Sequence, residues 1–141
     1  MFILDTDHLS FIERGGHPIG ELVLRRMRES TDECAATIIS YEEQTRGWLS
    51  TIAKAKTVSD QIIGYRKLLA QLRNYCAIRV LEFDARAAVE FQSLRKIKIR
   101  IATMDLKIAS IVLYLGATLL SVNLRDFQQV PGLQVEDWLR D

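Results

Sequence analysis

Short apolar runs alternate with longer segments of helical periodicity along this chain, and this alternation is the feature that most constrains its fold. Each run has the length of a buried strand, and there are four of them: "FIL" (2–4), "CAATII" (34–39), "AIRVL" (77–81) and "ATLLSV" (117–122). A fifth segment, "LQVEDW" (133–138), has the pattern of an edge strand. Strands that alternate with helices predict an α/β fold, in which helices flank a mainly parallel sheet of four to five strands.

The longest predicted helix covers residues 57–76. Its apolar side chains recur every three or four residues, as they do in an amphipathic helix: Val58, Ile62, Tyr65, Leu69, Leu72 and Cys76. Shorter helices are predicted over 7–12, 17–29, 40–53, 84–94 and 104–115. We expect Asp84 to cap the fourth of these and Gly116 to close the last.

The chain has 141 residues, of which 48% are apolar, and this is enough for one domain over 1–141 with a real core. Nineteen Lys and Arg balance eighteen Asp and Glu, so the net charge of +1 indicates no particular partner. The basic residues are nevertheless clustered. Clusters of basic residues can hold phosphate, although charged helix faces are more often simply solvated. The candidates for RNA contact are Arg46, Lys54, Lys56, Arg95, Lys96, Lys98 and Arg100.

Cysteine usage and hydropathy bear on the compartment. Cys34 and Cys76 form no C-x-x-C motif and do not pair in spacing with His8 or His17, which argues against a zinc site and fits a reducing cytoplasm. The N-terminus lacks the pattern of a signal peptide. The most apolar run, 108–122, has fifteen residues and is too short to span a bilayer. We expect a cytoplasmic protein without a membrane partner.

Acidic residues follow the predicted strands. In an open parallel sheet, ligands bind outside the carboxyl ends of the strands. Asp5 follows the first strand, Glu42 and Glu43 follow the second, and Asp126 follows the fourth. Asp105 begins the helix that leads into the fourth strand, so it lies at the same edge. Because like charges repel unless a cation neutralises them, and because oxygen ligands suit Mg²⁺ or Mn²⁺, the pattern predicts a divalent-metal site.

Each of these acids also has a simpler explanation as a helix-capping residue. Ser40 and Glu43 have the spacing of a capping box, Asn123 and Asp126 resemble one, and Asp105 lies where helices often begin with an acid. Four independent coincidences at one edge of a sheet are the less economical explanation. The metal-site interpretation is therefore preferred.

Two acids remain ambiguous from pattern alone. The apolar stripe of the helix after the second strand passes nearer Glu42 than Glu43, which weakly favours Glu42 as the site residue. Asp7 lies two residues after Asp5, and we interpret it as the cap of the short helix that follows.

Three segments together resemble the PIN domain family in its VapC-like toxin branch: "FILDTDHLS", "ISYEEQTRG" and "DLKIASIVLYLGATLLSVNLRDFQQVPGLQVEDW". The match covers nearly the whole chain in the right order. It selects Glu43 over Glu42 through the spacing to Gly47. The resemblance implies that the catalytic and metal-binding carboxylates are Asp5, Glu43, Asp105 and Asp126, with Thr6, Ser121 and Asn123 in support.

The same resemblance implies a PIN-like fold, Mg²⁺- or Mn²⁺-dependent endoribonuclease activity that leaves 5′-phosphate and 3′-hydroxyl ends, and inhibition by a VapB-like antitoxin. It also implies a homodimer. The antitoxin groove is expected on the second to fourth helices, although a place in the core is the favoured explanation for most of its candidate residues: Trp48, Leu49, Ile52 and Ile62.

Three alternatives are weighed against this reading. "DTDHL" is similar to the D-x-D-x-T/V motif of haloacid-dehalogenase phosphatases, in which Asp5 would be the nucleophile. Leu9 replaces the Thr or Val, and the only comparable apolar strand ending in Ser comes too near the C-terminus to leave room for the later motifs. The other two are a stand-alone PIN nuclease without an antitoxin, and a catalytically silent PIN-like module that binds RNA or a partner.

Overall fold

The computed structural model describes residues 1–140, and its elements alternate as the sequence predicts. In chain order they are β1 (Phe2–Leu4), α1 (Thr6–Glu13), α2 (Pro18–Glu29), β2 (Cys34–Thr37), α3 (Ile38–Lys54), α4 (Val58–Cys76), β3 (Arg79–Leu81), α5 (Ala85–Lys96), α6 (Thr103–Leu115), β4 (Thr118–Leu120), α7 (Leu124–Phe127) and β5 (Gln134–Glu136).

The strands form one five-stranded sheet in the order β3-β2-β1-β4-β5. All four pairings are parallel, and in the register of the sheet Ile3 lies between Ala35 and Leu119. The predicted α/β fold with a parallel sheet is confirmed. Because every strand runs the same way, the carboxyl ends of β1, β2 and β4 lie at one edge.

Hydrophobic residues pack on both faces of the sheet, because successive residues of a strand point to opposite sides. Ile3 belongs to a core cluster with Phe91 of α5 and Ile108 of α6. Leu4 belongs to a second cluster, which contains Val23 of α2. The sheet is therefore the middle of three layers, with β1 at its centre.

Helix ends follow the sequence signals in two places and depart from them in one. Asp84 caps α5 by accepting from the Ala87 N–H at 2.9 Å, and Gly116 ends α6 in the left-handed region at φ +64°. The run "CAATII" does not remain a strand to its end, because the Thr37 hydroxyl accepts from the Ser40 N–H at 3.1 Å and starts α3 at Ile38. Ser40 is therefore inside the helix, and the alternative that Ser40 and Glu43 form a capping box does not hold.

The amphipathic helix predicted over 57–76 is present as α4, but its apolar stripe faces solvent. Val58 is 72% exposed, and Tyr65 and Leu72 are also largely exposed. The buried side of α4 instead carries Gly64, Gln71 and Tyr75, and it packs against α3. We call the exposed stripe the α4 apolar face; it consists of Val58, Ile62, Tyr65, Leu69 and Leu72.

Within residues 1–140, no helix combines the length and hydropathy needed to cross a membrane. Cys34 and Cys76 are free thiols, as their spacing indicates.

Candidate active site

Asp5 lies at the carboxyl end of β1 and is buried, with 6% of its surface exposed. One carboxylate oxygen accepts from the Thr6 N–H at 2.8 Å and so caps α1, while the other accepts from the Ser121 hydroxyl at 2.8 Å. Burial first, and then the negative charge of Asp7, raise the pKa of Asp5 from 3.8 to about 7. A carboxylate held in this way favours a nearby cation.

Asp7 does not cap α1, and the prediction that it does is wrong. Because α1 begins at Thr6, Asp7 lies inside its first turn and its side chain reaches across to the end of β4. One oxygen accepts from the Val122 N–H at 3.1 Å and lies 3.3 Å from Ser121 Oγ. The other lies 2.7 Å from His8 Nδ1. Asp7 therefore fixes the β4 end beside Asp5.

His8 extends this connection to the end of the chain. Its ring is fully buried, and Nε2 accepts from the Trp138 N–H at 3.0 Å, so the proton of the neutral ring is on Nδ1 and faces Asp7. The sequence reasoning did not find this link between His8 and Trp138. No local pattern shows it, since 130 positions separate the two residues.

Glu43 lies on α3 and faces the same edge of the sheet. The Thr6 hydroxyl donates to its Oε1 at 3.4 Å. Burial, and next the charge of Asp105, raise the pKa of Glu43. Glu42 instead forms an exposed ion pair with Arg46 one turn later. The structure therefore brings Glu43 to the cluster, as the family pattern implies and against the weak indication from periodicity.

The other two acids belong to the helices before and after β4, which lies on the other side of β1 from β2. Asp105 lies in the first turn of α6, and its pKa is raised by burial and then by the charges of Asp126 and Asp7. Asp126 lies on α7 and accepts from the Asn123 side-chain amide at 3.0 Å. The Asn123 backbone N–H in turn donates to Ser121 Oγ at 3.0 Å. One hydrogen-bonded chain thus connects α7 to the end of β1.

The donor chemistry of this cluster fits a hard divalent cation. The carboxylates raise one another's pKa, so their negative charges repel in the absence of a cation. Within residues 1–140, no three Asp, Glu, His or Cys side chains are close enough to hold an ion together. Mg²⁺ commonly keeps several waters and takes only one or two carboxylates directly, so this spacing suits an ion held partly through water. We call the group the acid cluster; it consists of Asp5, Asp7, Glu43, Asp105 and Asp126.

The basic candidates for RNA contact lie at different distances from the acid cluster. Arg46 is one turn from Glu42 and paired with it, whereas Lys54 is about three helical turns beyond Glu43 on α3. Residues 95–100 end α5 and lead into α6, which carries Asp105. All seven candidate side chains are exposed: Arg46, Lys54, Lys56, Arg95, Lys96, Lys98 and Arg100.

Comparison with known proteins places the chain in a family, although no model of a known protein family matches it. It is 31% identical over 124 residues to the tRNA(fMet)-specific endonuclease VapC of Salmonella typhimurium, and the match covers 77% of this chain and 94% of that protein. The chain belongs to the VapC family. The resemblance drawn from its sequence motifs is thereby confirmed.

Solved structures of VapBC complexes and of FitAcB share the fold. The DNA-bound VapBC complex of Salmonella typhimurium has a chain with TM-score 0.78 and 23% identity, and the match covers 97% of both chains. VapBC2 of Rickettsia felis, bound to a promoter DNA fragment, has TM-score 0.74 and 22% identity over 97% of this chain and 98% of that one. FitAcB of Neisseria gonorrhoeae gives TM-score 0.72 and 19% identity over the full length of both chains. The PIN-like architecture expected for a VapC-family chain is therefore present.

Proposed function

We propose that this VapC-family chain is an Mg²⁺- or Mn²⁺-dependent endoribonuclease whose acid cluster hydrolyses RNA phosphodiester bonds. Family membership supports the nuclease activity. The observation that carries the metal dependence is the convergence of Asp5, Glu43, Asp105 and Asp126 from four separate segments at one edge of the sheet. Such a group of carboxylates is stable in ionised form only with a cation nearby.

The chain's own residues orient these carboxylates. Ser121 and the Thr6 N–H hold the two oxygens of Asp5, and the Thr6 hydroxyl holds Glu43. Asn123 holds Asp126. When bound, Mg²⁺ or Mn²⁺ lowers the pKa of an attacking water and neutralises charge on the phosphate. Thr6, Ser121 and Asn123 are accordingly positioning residues in this proposal.

The cleavage test uses the purified chain with a tRNA pool, because the Salmonella relative is named for tRNA(fMet). We expect cleavage with Mg²⁺ or Mn²⁺ and none with EDTA. Asp5→Asn and Asp105→Asn should each lose at least about 10²-fold in rate. Asp60→Asn is the matched control, since Asp60 is exposed on α4. Metal-independent cleavage, or full activity of both variants, would overturn the proposal.

The stretch 95–100 is the better candidate for the RNA backbone. It leads directly to the helix that carries Asp105, whereas Lys54 and Lys56 lie at the far end of α3. Arg46 is already paired with Glu42, so its charge is partly neutralised. Replacing Lys96 and Lys98 by Gln should weaken RNA binding and flatten its salt dependence. The same exchange at Lys54 and Lys56 should do so less; an equal effect would contradict this placement.

The α4 apolar face supports an antitoxin partner. An exposed stripe of apolar side chains along one helix is typical of a protein interface. Of the four residues expected to line a groove, Leu49 and Ile62 are exposed and Trp48 is half-buried, whereas Ile52 packs beside Gly64 in the α3–α4 contact and belongs to the core. The VapBC complexes named above belong to a family of toxin–antitoxin systems. We therefore propose that an antitoxin segment covers this face.

The partner test is co-purification with the protein encoded by the adjacent reading frame. Leu69→Glu places a charge on the α4 apolar face and should abolish the complex, while Val89→Glu, at an exposed apolar position on α5, should leave it intact. Light scattering of the chain alone separates antitoxin binding from the expected homodimer. If Leu69→Glu converts a dimer of the isolated chain to a monomer but leaves antitoxin binding intact, the face is a homodimer contact and the antitoxin assignment fails.

A further inference from the structure

Asp7 belongs to the acid cluster but is not one of the four carboxylates that converge as proposed metal ligands. One of its oxygens accepts from the Val122 N–H at 3.1 Å, and the other lies 2.7 Å from His8 Nδ1. Only 24% of the side chain is exposed. Asp7 is therefore fixed by its own contacts, to the end of β4 on one oxygen and to the buried His8 ring on the other.

Two N–H groups from different parts of the chain donate to Asp7. Because His8 Nε2 accepts from the Trp138 N–H, the ring proton is on Nδ1 and is donated to one oxygen of Asp7. The Val122 N–H is donated to the other oxygen. A carboxylate can accept on both oxygens, whereas the amide of an asparagine has one acceptor and one donor. Both contacts therefore form only with a carboxylate at position 7.

The three residues after β4 carry the side chains that orient two of the proposed metal ligands. We call residues 121–123 the β4 exit. The Ser121 hydroxyl donates to Asp5 at 2.8 Å, and the Asn123 side-chain amide donates to Asp126 at 3.0 Å. Because β4 itself ends one residue earlier, these side chains project from a segment that follows the strand. The conformation of the β4 exit therefore sets the orientation of both carboxylates.

Asp7 contacts the β4 exit at its middle residue. The oxygen that accepts from the Val122 N–H also lies 3.3 Å from Ser121 Oγ, so the hydroxyl that donates to Asp5 has Asp7 as its second acidic neighbour. Loss of the contact with Val122 would release the residues on both sides of it, Ser121 and Asn123. Groups that orient metal ligands from outside the coordination sphere commonly control metal affinity.

We propose that Asp7 is a positioning residue for the metal ion of the acid cluster. It holds the β4 exit so that Asp5 and Asp126 keep their orientation, and it acts through this segment rather than as a ligand. The role rests on the metal dependence in the proposed function. The competing explanation is charge alone, because the negative charge of Asp7 also acts on Asp5 and Asp105 and would attract a cation without any contact to the β4 exit.

The first test measures Mn²⁺ binding to the purified chain without RNA, from the EPR signal of the free ion. Asp7→Asn has the size of the native side chain but can satisfy only one of the two N–H donors, so the Kd for Mn²⁺ should rise about tenfold. Asp5→Asn removes a proposed ligand and should raise the Kd further. Glu42→Gln is the matched control and should leave the Kd unchanged, since the Glu42 carboxylate is paired with Arg46.

Asp7→Glu separates position from charge. It keeps the negative charge but adds a methylene, so its carboxylate cannot make the same two contacts, and the Kd should rise about as much as in Asp7→Asn. A native Kd in Asp7→Glu would show that charge alone acts. A native Kd in Asp7→Asn with a lower urea midpoint would show that the contacts only support the fold. A Kd in Asp7→Asn as high as in Asp5→Asn would make Asp7 a ligand. Each of these three results would overturn the positioning role.

Hydrogen exchange of the native chain tests the same coupling without a variant. If the contact between Asp7 and Val122 favours metal binding, bound metal must favour that contact by the same factor. Saturating Mg²⁺ should therefore slow exchange of the Val122 N–H about tenfold relative to EDTA. The Ala77 N–H, which is bonded to the Asn74 carbonyl at the end of α4, is the control and should change less. This measurement decides the question if Asp7→Asn does not fold, and equal exchange at Val122 in Mg²⁺ and EDTA would overturn the proposal.

The outcomes also separate this role from the proposed function. Native Mn²⁺ affinity in both Asp7 variants, in a chain that cleaves RNA with Mg²⁺, would reject the role of Asp7 and keep the nuclease. Weakened Mn²⁺ binding in both variants of a chain that cleaves no RNA would support the role of Asp7 and reject the nuclease. A native chain that binds no Mn²⁺ would reject the metal site and the role of Asp7 together.

Discussion

Ser121 donates a 2.8 Å hydrogen bond to Asp5, although 116 positions separate the two residues in the chain. A hydroxyl has one proton, so the neighbouring Asp7 oxygen at 3.3 Å competes for it and receives its own donor from the Val122 N–H. The hydrogen bond from Ser121 lowers the pKa of Asp5, against the larger effects of burial and of Asp7. Ser121 therefore helps to keep the central carboxylate ionised.

Ser121→Ala should raise the pKa of Asp5 further and shift the acidic limb of the cleavage-rate profile to higher pH. The change removes a hydrogen bond to a buried carboxylate, so we also expect a loss of about 1–3 kcal/mol in the free energy of unfolding. The measurement is the pH dependence of cleavage at fixed Mg²⁺. Ser121→Thr is the control, since it keeps the hydroxyl. An unshifted acidic limb in the alanine variant would contradict this role.

Metal-free protein should become more stable as the pH falls from 8 to 5. The pKa of Asp5 is about 7 in the folded chain and 3.8 when unperturbed, so between these values the folded state holds a proton that the unfolded state lacks. Stability is therefore lost as the pH rises through this window, with a slope of up to about 1.4 kcal/mol per pH unit for one proton. The raised pKa values of Glu43 and Asp105 act in the same direction.

Urea unfolding in EDTA at several pH values measures this effect. Asp5→Asn should remove much of the pH dependence and raise the stability at pH 8, because the buried negative charge, which Asp7 also repels, is gone. Mg²⁺ should also reduce the dependence, since it binds the ionised, folded form. A native chain that is equally stable at pH 5 and pH 8 in EDTA would contradict the raised pKa values of these carboxylates.

The parts of this molecule that sequence predicts are those with local signals. The period of apolar residues gives the strands and helices, and Asp84 and Gly116 mark two helix ends by their own chemistry. The edge at which the acids meet follows from one rule about parallel strands. The choice of Glu43 needed the family pattern, because the periodicity of α3 reports its packing face rather than its distance from Asp105.

What the sequence could not predict depends on contacts between distant segments. Asp7 has the residue type of a cap, but it accepts from Val122 instead because Asp5 already occupies the capping position. The apolar stripe on α4 has the period of a buried face, yet its Tyr65 and Leu72 are exposed. The helix packs against α3 through a different face, on which Gly64 allows the two helices to approach closely. Apolar residues recur with the same period along a helix whether they face the core or a partner protein, so the period alone does not distinguish the two.

His8→Leu should detach the end of the chain from the acid cluster. The substitution removes the acceptor for the Trp138 N–H and leaves this buried group unsatisfied, at a cost of about 1–3 kcal/mol. Hydrogen exchange of the Trp138 amide should accelerate, and the urea midpoint should fall. Trp138→Phe keeps the backbone N–H and serves as the control for loss of the indole. Unchanged exchange at residue 138 in His8→Leu would show that the hydrogen bond is not formed in solution.

Replacing two helical glycines by alanine should change the free energy of unfolding in opposite directions. A Cβ at Gly20 of α2 would overlap the backbone carbonyl of Phe11, which cannot move aside without disturbing α1, so Gly20→Ala should cost about 1–3 kcal/mol. A Cβ at Gly47 of α3 meets nothing within 4 Å, so Gly47→Ala should gain up to about 1 kcal/mol from helix propensity alone. Urea unfolding of both variants measures this contrast. An undiminished stability of Gly20→Ala would show that the α1–α2 contact does not require Gly20, and a loss of stability in Gly47→Ala would contradict the open space at that position.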